Sequence, residues 1–276
     1  MGARPADSPA HFAAVALESG ADIEDVRGEW EELADDAEAA PFVRPDWLAV
    51  WWGAFGGGGG GLRLATLRAE SGIQALMALV VRSGRVYSPG NTHMPWSGLI
   101  AREDGAADAL LAAVFTSSAH RVTLAPVVWE GPTATSARRV ARAAGRLVLE
   151  RGSWDSPYVD LVGVTAADQL VGRHLRKELR RCARRLGEQG TVTYEVHGSV
   201  DGLDGVLGEA FRVEASQWKG RAGTAMVSRP DTESFYRGVA YSAAAKGTLH
   251  LAALRLDGRL VSFEVGVREA GRHFAL

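Results

Sequence analysis

The chain has few of the residues and runs that mark several common protein classes. Of its 276 residues, only Cys182 is a cysteine. A single cysteine excludes an intramolecular disulfide and a cysteine-based zinc cluster, which suits a reducing compartment. The longest unbroken apolar run, Ala75 to Val81, is far shorter than the ~20 residues needed to cross a membrane. The sequence does not open on a basic and then apolar signal peptide. We therefore expect a cytoplasmic protein with no membrane span.

The chain also has no large excess of positive or negative charge, since it contains 31 Lys and Arg and 33 Asp and Glu, and its net charge is −2. Overall charge therefore favours no particular partner. No spacing of His, Cys, Asp or Glu suits a metal ion, and no Ser-His-Asp triad is evident, so we expect no metal. A hydrophobic content of 46% is ordinary for a globular protein, and the length predicts one or two domains.

The first half of the sequence alternates helical and strand patterns, as α/β proteins do. Residues 1–21 are expected to be a loose leader. Nine acidic residues and one arginine then lie between Asp22 and Glu38, while Trp30 and Leu33 keep helical spacing, which predicts an acidic helix. The aromatic residues from Trp47 to Phe55 are expected to pack rather than to stack a ligand. Further strands are predicted at 62–69, 73–82, 121–126 and 146–150, and further helices at 104–118 and 133–144.

A strongly basic helix is predicted near the middle of the chain. Seven Lys or Arg and two Glu lie between Val171 and Gly190. Leu175, Leu179, Cys182 and Leu186 form a narrow apolar stripe, so we expect Cys182 in a core. Two interpretations stay open for the opposite, basic face. It bridges two lobes with its charges in water or paired to the acidic helix, or it binds an anion such as a diphosphate, a nucleotide or a nucleic-acid backbone.

The last third of the sequence has the clearest order of elements. Leu207, Phe211 and Ala215 predict one helix, and a second helix around Phe235 is expected to close at Gly247. The dipeptide Asp-Gly between alternating apolar runs predicts a hairpin. The strands expected here are Leu249 to Leu256, Leu260 to Val267, and a third that starts at Arg272.

Short motifs in this order resemble a known group of enzymes. The C-terminal motifs are Glu214, Trp218-Lys219-Gly220, Gly223, Phe235-Tyr236, Gly247 and Leu254-x-x-Asp257-Gly258-Arg259. Upstream, the motifs are Trp30, Pro41-Phe42, Pro45-x-Trp47-Leu48, Trp51 to Phe55, Ser156-Pro157-Tyr158 and the helix from Leu175 to Leu186. Helix, loop, helix and antiparallel strands resemble the opening half of an acyl-CoA N-acyltransferase (GNAT-type) fold. The motifs themselves resemble the CelD/FemAB-like acetyltransferases, the cellulose-biosynthesis CelD type of the GNAT superfamily.

The resemblance implies an α/β fold of two tandem GNAT-like lobes, with mixed, mostly antiparallel central sheets flanked by helices. The N-terminal lobe is expected over residues 22–155 and the acyltransferase lobe over 156–276. The family continues past the third strand with a tyrosine-containing stretch and a Ser-Pro-Gly type turn. That turn opens a helix whose N-terminus holds the CoA pyrophosphate. Because the sequence ends at Leu276, we expect a truncated chain, with an incomplete second lobe and with the cofactor-binding residues beyond Leu276.

The function implied is transfer of an acyl group from acetyl-CoA or another acyl-CoA to an amine or hydroxyl acceptor, in cell-envelope or polysaccharide metabolism. Such a transfer needs a group that takes the acceptor's proton. Glu214 is the candidate catalytic base. Lys219 and Arg221, on a glycine-flanked loop, are candidate ligands of an anionic small-molecule or carrier-linked substrate. Trp218 and Tyr236 are further candidate substrate-binding residues, with Trp218 expected to be half core and half wall of the site.

Two alternatives remain at this point. The first is a FemAB-like aminoacyl transferase that uses charged tRNA, for which Arg180 and Arg181 on the basic helix are candidate substrate-binding residues. The second is a catalytically silent module that keeps the fold and holds an anionic partner on the face from Arg173 to Arg185. The sequence leaves the oligomeric state open.

Overall fold

The computed structural model describes residues 13–19, 23–116, 120–166 and 169–276, and for 13–19 only the backbone. The described residues divide into two compact units. The first contains the described residues up to Glu150 together with Glu269–Arg272, and the second contains Arg151–Arg268 and His273–Leu276. The lobe boundary expected after residue 155 stays a prediction.

The N-terminal half of the chain forms an α/β unit. Its elements, in chain order, are β1 (Ala13–Ser19), α1 (Ile23–Asp36), a 3-10 helix (Pro41–Val43), α2 (Pro45–Phe55), β2 (Gly61–Ala69), β3 (Gly72–Arg82), β4 (Arg85–Tyr87), β5 (Leu99–Ala101), α3 (Asp104–Thr116), β6 (Arg121–Thr123) and α4 (Pro132–Ala143). The strands form one mixed sheet in the order β1-β2-β3-β4-β6, and β5 also pairs with β3. The β4–β6 pair is parallel and the other pairs are antiparallel.

The core of this unit lies between the sheet and helices α3 and α4. Leu67, Met77 and Leu79 of the strands pack with Leu110 and Leu111 of α3, and all five are buried. Alternating side chains on β2 and β3 therefore supply one face to the helices, as the strand pattern predicts.

Arginines of the same unit neutralise the acidic helix α1. Arg44, which is buried, donates to Asp35 at 2.7 Å and to Glu31 at 3.0 Å. Arg68 of β2 pairs with Glu29 at 2.7 Å. The apolar side of α1 is buried, with Trp30 donating its indole N–H to the Val43 carbonyl at 3.0 Å. The acidic run is therefore one face of a packed helix, with several of its charges paired locally.

The second half of the chain begins with a helix and ends in an antiparallel sheet. Its elements are α5 (Arg173–Gly187), β7 (Val192–His197), α6 (Leu203–Ala215), α7 (Trp218–Ala222), a 3-10 helix (Met226–Ser228), α8 (Pro230–Ala245), β8 (Leu249–Leu256), β9 (Arg259–Glu269) and β10 (Arg272–Ala275). The sheet order is β10-β9-β8-β7. The α/β fold class predicted from the sequence, with a mixed sheet and an antiparallel sheet, is confirmed.

One face of the C-terminal sheet is lined by buried apolar residues. Leu249, Leu251 and Ala253 of β8 and Val265 and Val267 of β9 share this face, since they pair in register. Phe211 of α6 and Phe235 of α8 are the largest fully buried side chains on the helices of this unit. Burial of these aromatic rings contributes to the stability of this unit.

Arg255 of β8 links the edge strand to a helix. Its Nε donates to Glu195 of β7 at 2.9 Å, and its Nη1 donates to Glu209 of α6 at 2.6 Å. These contacts keep the pKa of Glu195 below its usual value, chiefly through the hydrogen bond from Arg255. Arg255 therefore fixes the position of α6 relative to the sheet.

Several local predictions were wrong. Residues 146–150, expected as a strand, have no regular structure, and the strand predicted at 121–126 ends at Thr123. The expected loose leader includes β1, which pairs with β2, and the rest of that segment lies outside the described residues. Strand β7 and helix α7 were not foreseen. Cys182, expected in a core, is exposed, because no residue of α5 is buried.

Among the described residues no helix is long and apolar enough to cross a membrane.

We expect Phe211→Ala to lower the free energy of unfolding by about 3–5 kcal/mol, because its ring is only 1% exposed. The midpoint of urea denaturation, followed by circular dichroism, measures the change. The matched control is Tyr194→Ala on β7, whose side chain is 65% exposed and whose loss should change the midpoint little. Equal effects of the two substitutions would contradict the assigned core.

Candidate functional site

Two glycines determine how the chain turns from α6 into α7. A Cβ on Gly220 would lie 1.8 Å from the carbonyl oxygen of Ala215, so α7 can approach the end of α6 only with glycine at this position. Gly223 has a φ of 68° and ends α7, and the next amide, of Thr224, donates to the Lys219 carbonyl at 2.9 Å. The spacing of these glycines in the Trp-Lys-Gly motif is thus explained by a tight turn.

The turn brings a cluster of polar groups to the carboxylate of Glu214. The Nζ atom of Lys219 donates to Glu214 Oε1 at 2.7 Å, and the backbone N–H of Met226 donates to Oε2 at 2.7 Å. The Glu214 side chain is only 9% exposed, whereas that of Lys219 is 43% exposed. We call Glu214, Lys219, the Met226 amide and Tyr236 the Glu214 cluster.

Tyr236 completes the Glu214 cluster from helix α8. Burial raises the pKa of its hydroxyl, and the negative charge of Glu214 raises this pKa further. Its neighbour Phe235 packs edge to face against it, with ring centroids 5.3 Å apart, and is itself buried. The hydroxyl therefore stays neutral at physiological pH and is able to donate a hydrogen bond.

The other predicted site residues lie at the surface. Trp218, predicted to be a wall of the site, is 62% exposed, and Arg221 is exposed on the same short helix. Arg180 is exposed on α5, and Arg181 donates to Glu178 of its own helix at 2.5 and 3.0 Å. Among the described residues, the hydrogen bonds and ion pairs of Glu214 and Lys219 do not reach α5. The structure thus joins Glu214 to Lys219 and places Tyr236 within reach of the charge of Glu214, whereas no described hydrogen bond or ion pair of Glu214 or Lys219 involves Arg180 or Arg181.

A second cluster, which sequence reasoning did not assemble, lies across three strands of the C-terminal sheet. His273 of β10 contacts Glu264 of β9 through Nε2 at 2.8 Å, and its ring lies edge to face with His250 of β8 at 5.1 Å. Gly266 makes room for it, since a Cβ there would lie 2.4 Å from Cε1 of His273. The Nδ1 atom of His250 is buried, and among the described residues it has no hydrogen-bond partner.

The environment of His250 disfavours its charged form. Burial lowers its pKa, and the positive charge of Arg268 and the neighbouring His273 lower it further, while Glu264 opposes them. Within the part of the chain that the structure describes, no group of three or more His, Cys, Asp or Glu side chains could hold a metal ion. The cluster is therefore a set of titratable groups on one sheet face, with His273 positioned by Glu264.

We expect Gly220→Ala to destabilise the protein by about 1–3 kcal/mol, because the new methyl group overlaps the Ala215 carbonyl. Gly205→Ala in α6 is the matched control, since a Cβ at Gly205 meets nothing within 4 Å and alanine favours the helix. Chemical denaturation should rank the three proteins as Gly205→Ala, wild type, Gly220→Ala from most to least stable. A Gly220→Ala protein as stable as the wild type would show that α7 does not pack as described.

We expect the free energy of unfolding to fall as the pH drops below about 6.5, the ordinary histidine pKa. Because the folded state lowers the pKa of His250, the unfolded state binds more protons between the folded pKa and about 6.5. This stabilisation is present above that window and is lost as the pH falls through it. His250→Gln should flatten the pH dependence, measured as denaturation midpoints, while His174→Gln on exposed α5 should leave it unchanged. An identical profile for all three proteins would exclude this role of His250.

Comparison with known proteins places a family resemblance on the second half of the chain. Residues 173–276 match the model of a family described as the acetyltransferase (GNAT) domain. The matched range begins at α5 and includes β7 to β10, the Glu214 cluster and the histidine cluster. The comparison with curated proteins gives no match. The C-terminal part of the chain is therefore similar to a GNAT acetyltransferase domain, and this similarity supports an acyltransferase function in general.

Proposed function

We propose that this protein transfers an acyl group from an acyl-CoA, with acetyl-CoA as the first candidate donor, to an amine or hydroxyl acceptor. The observation that carries the proposal is the family match over residues 173–276, which coincides with helices α5 to α8 and the four strands β7 to β10 of the C-terminal sheet. The earlier motif resemblance narrows the proposal to a CelD/FemAB-like enzyme whose acceptor belongs to the cell envelope or to polysaccharides.

The edge of β10 fits the extended, amide-bearing arm of an acyl-CoA. Among the described strands, β10 pairs only with β9. The Leu276 amide donates to Val265 of β9 at 2.9 Å. Because alternate residues of an antiparallel strand direct their backbone groups to opposite sides, the N–H and C=O groups of His273 and Ala275 face the unpaired edge. Pairing of the donor's amides with such an edge is the chemistry of strand addition.

The Glu214 cluster fits the acceptor side of the reaction. Glu214 has two oxygens with about four lone-pair sites, of which the Lys219 ammonium and the Met226 amide use two. The remaining sites are able to accept a proton from an amine or a hydroxyl. The Lys219 side chain, being partly exposed, offers a positive charge to an anionic group, and the neutral Tyr236 hydroxyl is the second polar group proposed to contact the acceptor.

The proposed reaction balances without a further reagent. The acceptor N–H or O–H gives its proton to Glu214 while its lone pair attacks the thioester carbonyl carbon. A bond forms between that carbon and the acceptor atom, and the C–S bond of the acyl-CoA breaks. The CoA thiolate leaves with the electron pair of that bond and takes up the proton that Glu214 accepted, so Glu214 is again ionised and the products are the acylated acceptor and free CoA. Positioning of the two substrates supplies much of the rate enhancement.

Release of the CoA thiol tests the proposal directly. The wild-type chain is mixed with acetyl-CoA and a panel of amino sugars, polysaccharide fragments and small amines, and free thiol is measured against time. We expect acceptor-dependent thiol release, with Glu214→Gln lowering kcat by about 10²–10⁴-fold, as expected for loss of a general base. Glu188→Gln, at an exposed position on the residue after α5, is the matched control and should keep the wild-type rate.

Two results would contradict parts of the proposal. If no acceptor raises thiol release and acetyl-CoA does not bind, the donor assignment is wrong. If Glu214→Gln raises KM but keeps kcat, Glu214 positions Lys219 and the Met226 turn and is not the base. Transfer from a charged tRNA instead of acetyl-CoA would favour the aminoacyl transferase alternative.

A further inference from the structure

Helix α5 is amphipathic and yet has no buried side. All of its residues, Arg173 to Gly187, are exposed or half-exposed. Leu175 is 49% exposed and Leu179 is 54% exposed, and Cys182, one turn further along the same stripe, is exposed as well. The apolar stripe of a helix normally packs against a core. The stripe on α5 therefore presents an apolar surface that needs a covering group.

The rest of α5 carries a high positive charge. Seven Lys or Arg and one Glu lie within its fifteen residues. The single acid, Glu178, is already paired with Arg181. The net formal charge of this helix, about four turns long, is therefore +6, or +5 when the following residue Glu188, which pairs with Arg184, is included, and any group that covers the stripe must also tolerate or attract this charge.

The charge narrows the choice of covering group. A second copy of α5 would bring two strongly positive helices together, and like charges at the flanks of such a seam destabilise it. A nucleic acid would pair with the basic face but leave the leucines uncovered, because phosphate contacts need only Lys and Arg. A surface of anionic lipids satisfies both faces at once, with leucines at the acyl boundary and cations among the headgroups.

We propose that α5 docks this protein on an anionic lipid surface, lying parallel to the membrane plane. Leu175, Leu179 and Leu186 enter the boundary between headgroups and acyl chains, while Arg180 and Arg184 remain among the phosphates. The segment that leads into the helix adds exposed aromatic side chains, Trp154 and Tyr158, of the kind that favour the membrane interface. The inference does not depend on acyl transfer, since it rests on the charge and exposure of α5 and of the segment that leads into it.

Flotation with vesicles tests the proposal with the full chain. The probes are unilamellar vesicles of phosphatidylcholine alone and of phosphatidylcholine mixed with an equal part of phosphatidylglycerol. We expect the protein to float with the anionic vesicles and to remain below with the neutral ones. Binding should weaken as salt is added, because screening reduces the attraction between cations and headgroups.

Two sets of variants separate the contribution of each face. Arg180→Glu with Arg181→Glu should lower the partition coefficient by about tenfold or more, since each basic residue near an anionic surface contributes roughly a fivefold gain. Arg82→Glu with Arg85→Glu changes the charge of the protein by the same amount at exposed sites of the other unit and should have little effect. Leu175→Ser with Leu179→Ser should also lower partition about tenfold, whereas Val261→Ser, an exposed apolar position on β9, should not.

Four results would overturn the proposal. The first is absence of binding to the anionic vesicles, and the second is binding that the leucine variants leave unchanged, which would make it purely electrostatic. The third is binding of an unmodified transfer RNA that Arg180→Glu with Arg181→Glu abolishes while the leucine variants retain it. The fourth is a dimeric mass in light scattering that Leu175→Ser with Leu179→Ser converts to a monomer. Since the altered leucines are exposed, circular dichroism should show that the variants fold as the wild type does.

Discussion

A one-residue bulge in the hairpin of β8 and β9 determines which side chains of the C-terminal sheet face the helices. Next to the turn, Arg255 pairs with Leu260, but the following pair is Leu254 with Ser262, so that Val261 is an extra residue. Because side chains alternate along a strand, this shift moves every later residue of β9 to the other face relative to an unbulged hairpin. The buried face and the open face of the sheet both depend on it.

The same register positions the groups that chemistry requires. On the inner face, Val265 and Val267 lie with the apolar residues of β8 in the core of the unit. On the other face, His273 lies beside Glu264 and over Gly266. β10 follows at the edge, with its outer backbone groups unpaired by any described strand. The core, the histidine cluster and the strand edge proposed for the donor are thus consequences of one pairing pattern.

Much of this architecture could be predicted from the sequence, because local signals were strong. The Asp257-Gly258 turn has φ values of 49° and 77°, both positive, as the hairpin signal requires. The periodicity of α6 and α8 and the apolar alternation of β8 were equally plain. Glu214, Lys219 and Tyr236 were chosen from motifs, and the structure shows Lys219 hydrogen-bonded to Glu214 and the charge of Glu214 acting on Tyr236, while their roles in a site stay predictions.

The bulge, the histidine cluster, strand β7 and the exposure of Cys182 were not predicted from the sequence. The residues around Val261 carry no sequence signal for the bulge. Without the bulge, His250 would pair with Val265 instead of Gly266. The contact between His250 and His273 could therefore not be predicted from the sequence. Strand β7 was missed although Val192, Tyr194 and Val196 alternate with polar residues, and the structure exposes these apolar side chains instead of burying them. Cys182 was expected in a core because an apolar stripe normally implies a covered face, and on α5 that face is open.

The most direct test of the central claim is hydrogen exchange of backbone amides, measured residue by residue with and without acetyl-CoA. If an acyl-CoA pairs with the edge of β10, the amides of His273 and Ala275 should exchange more slowly in its presence. The Leu276 amide, already bonded to Val265, should change little and is an internal reference. Unchanged exchange at His273 and Ala275 with saturating acetyl-CoA would contradict the proposed donor site.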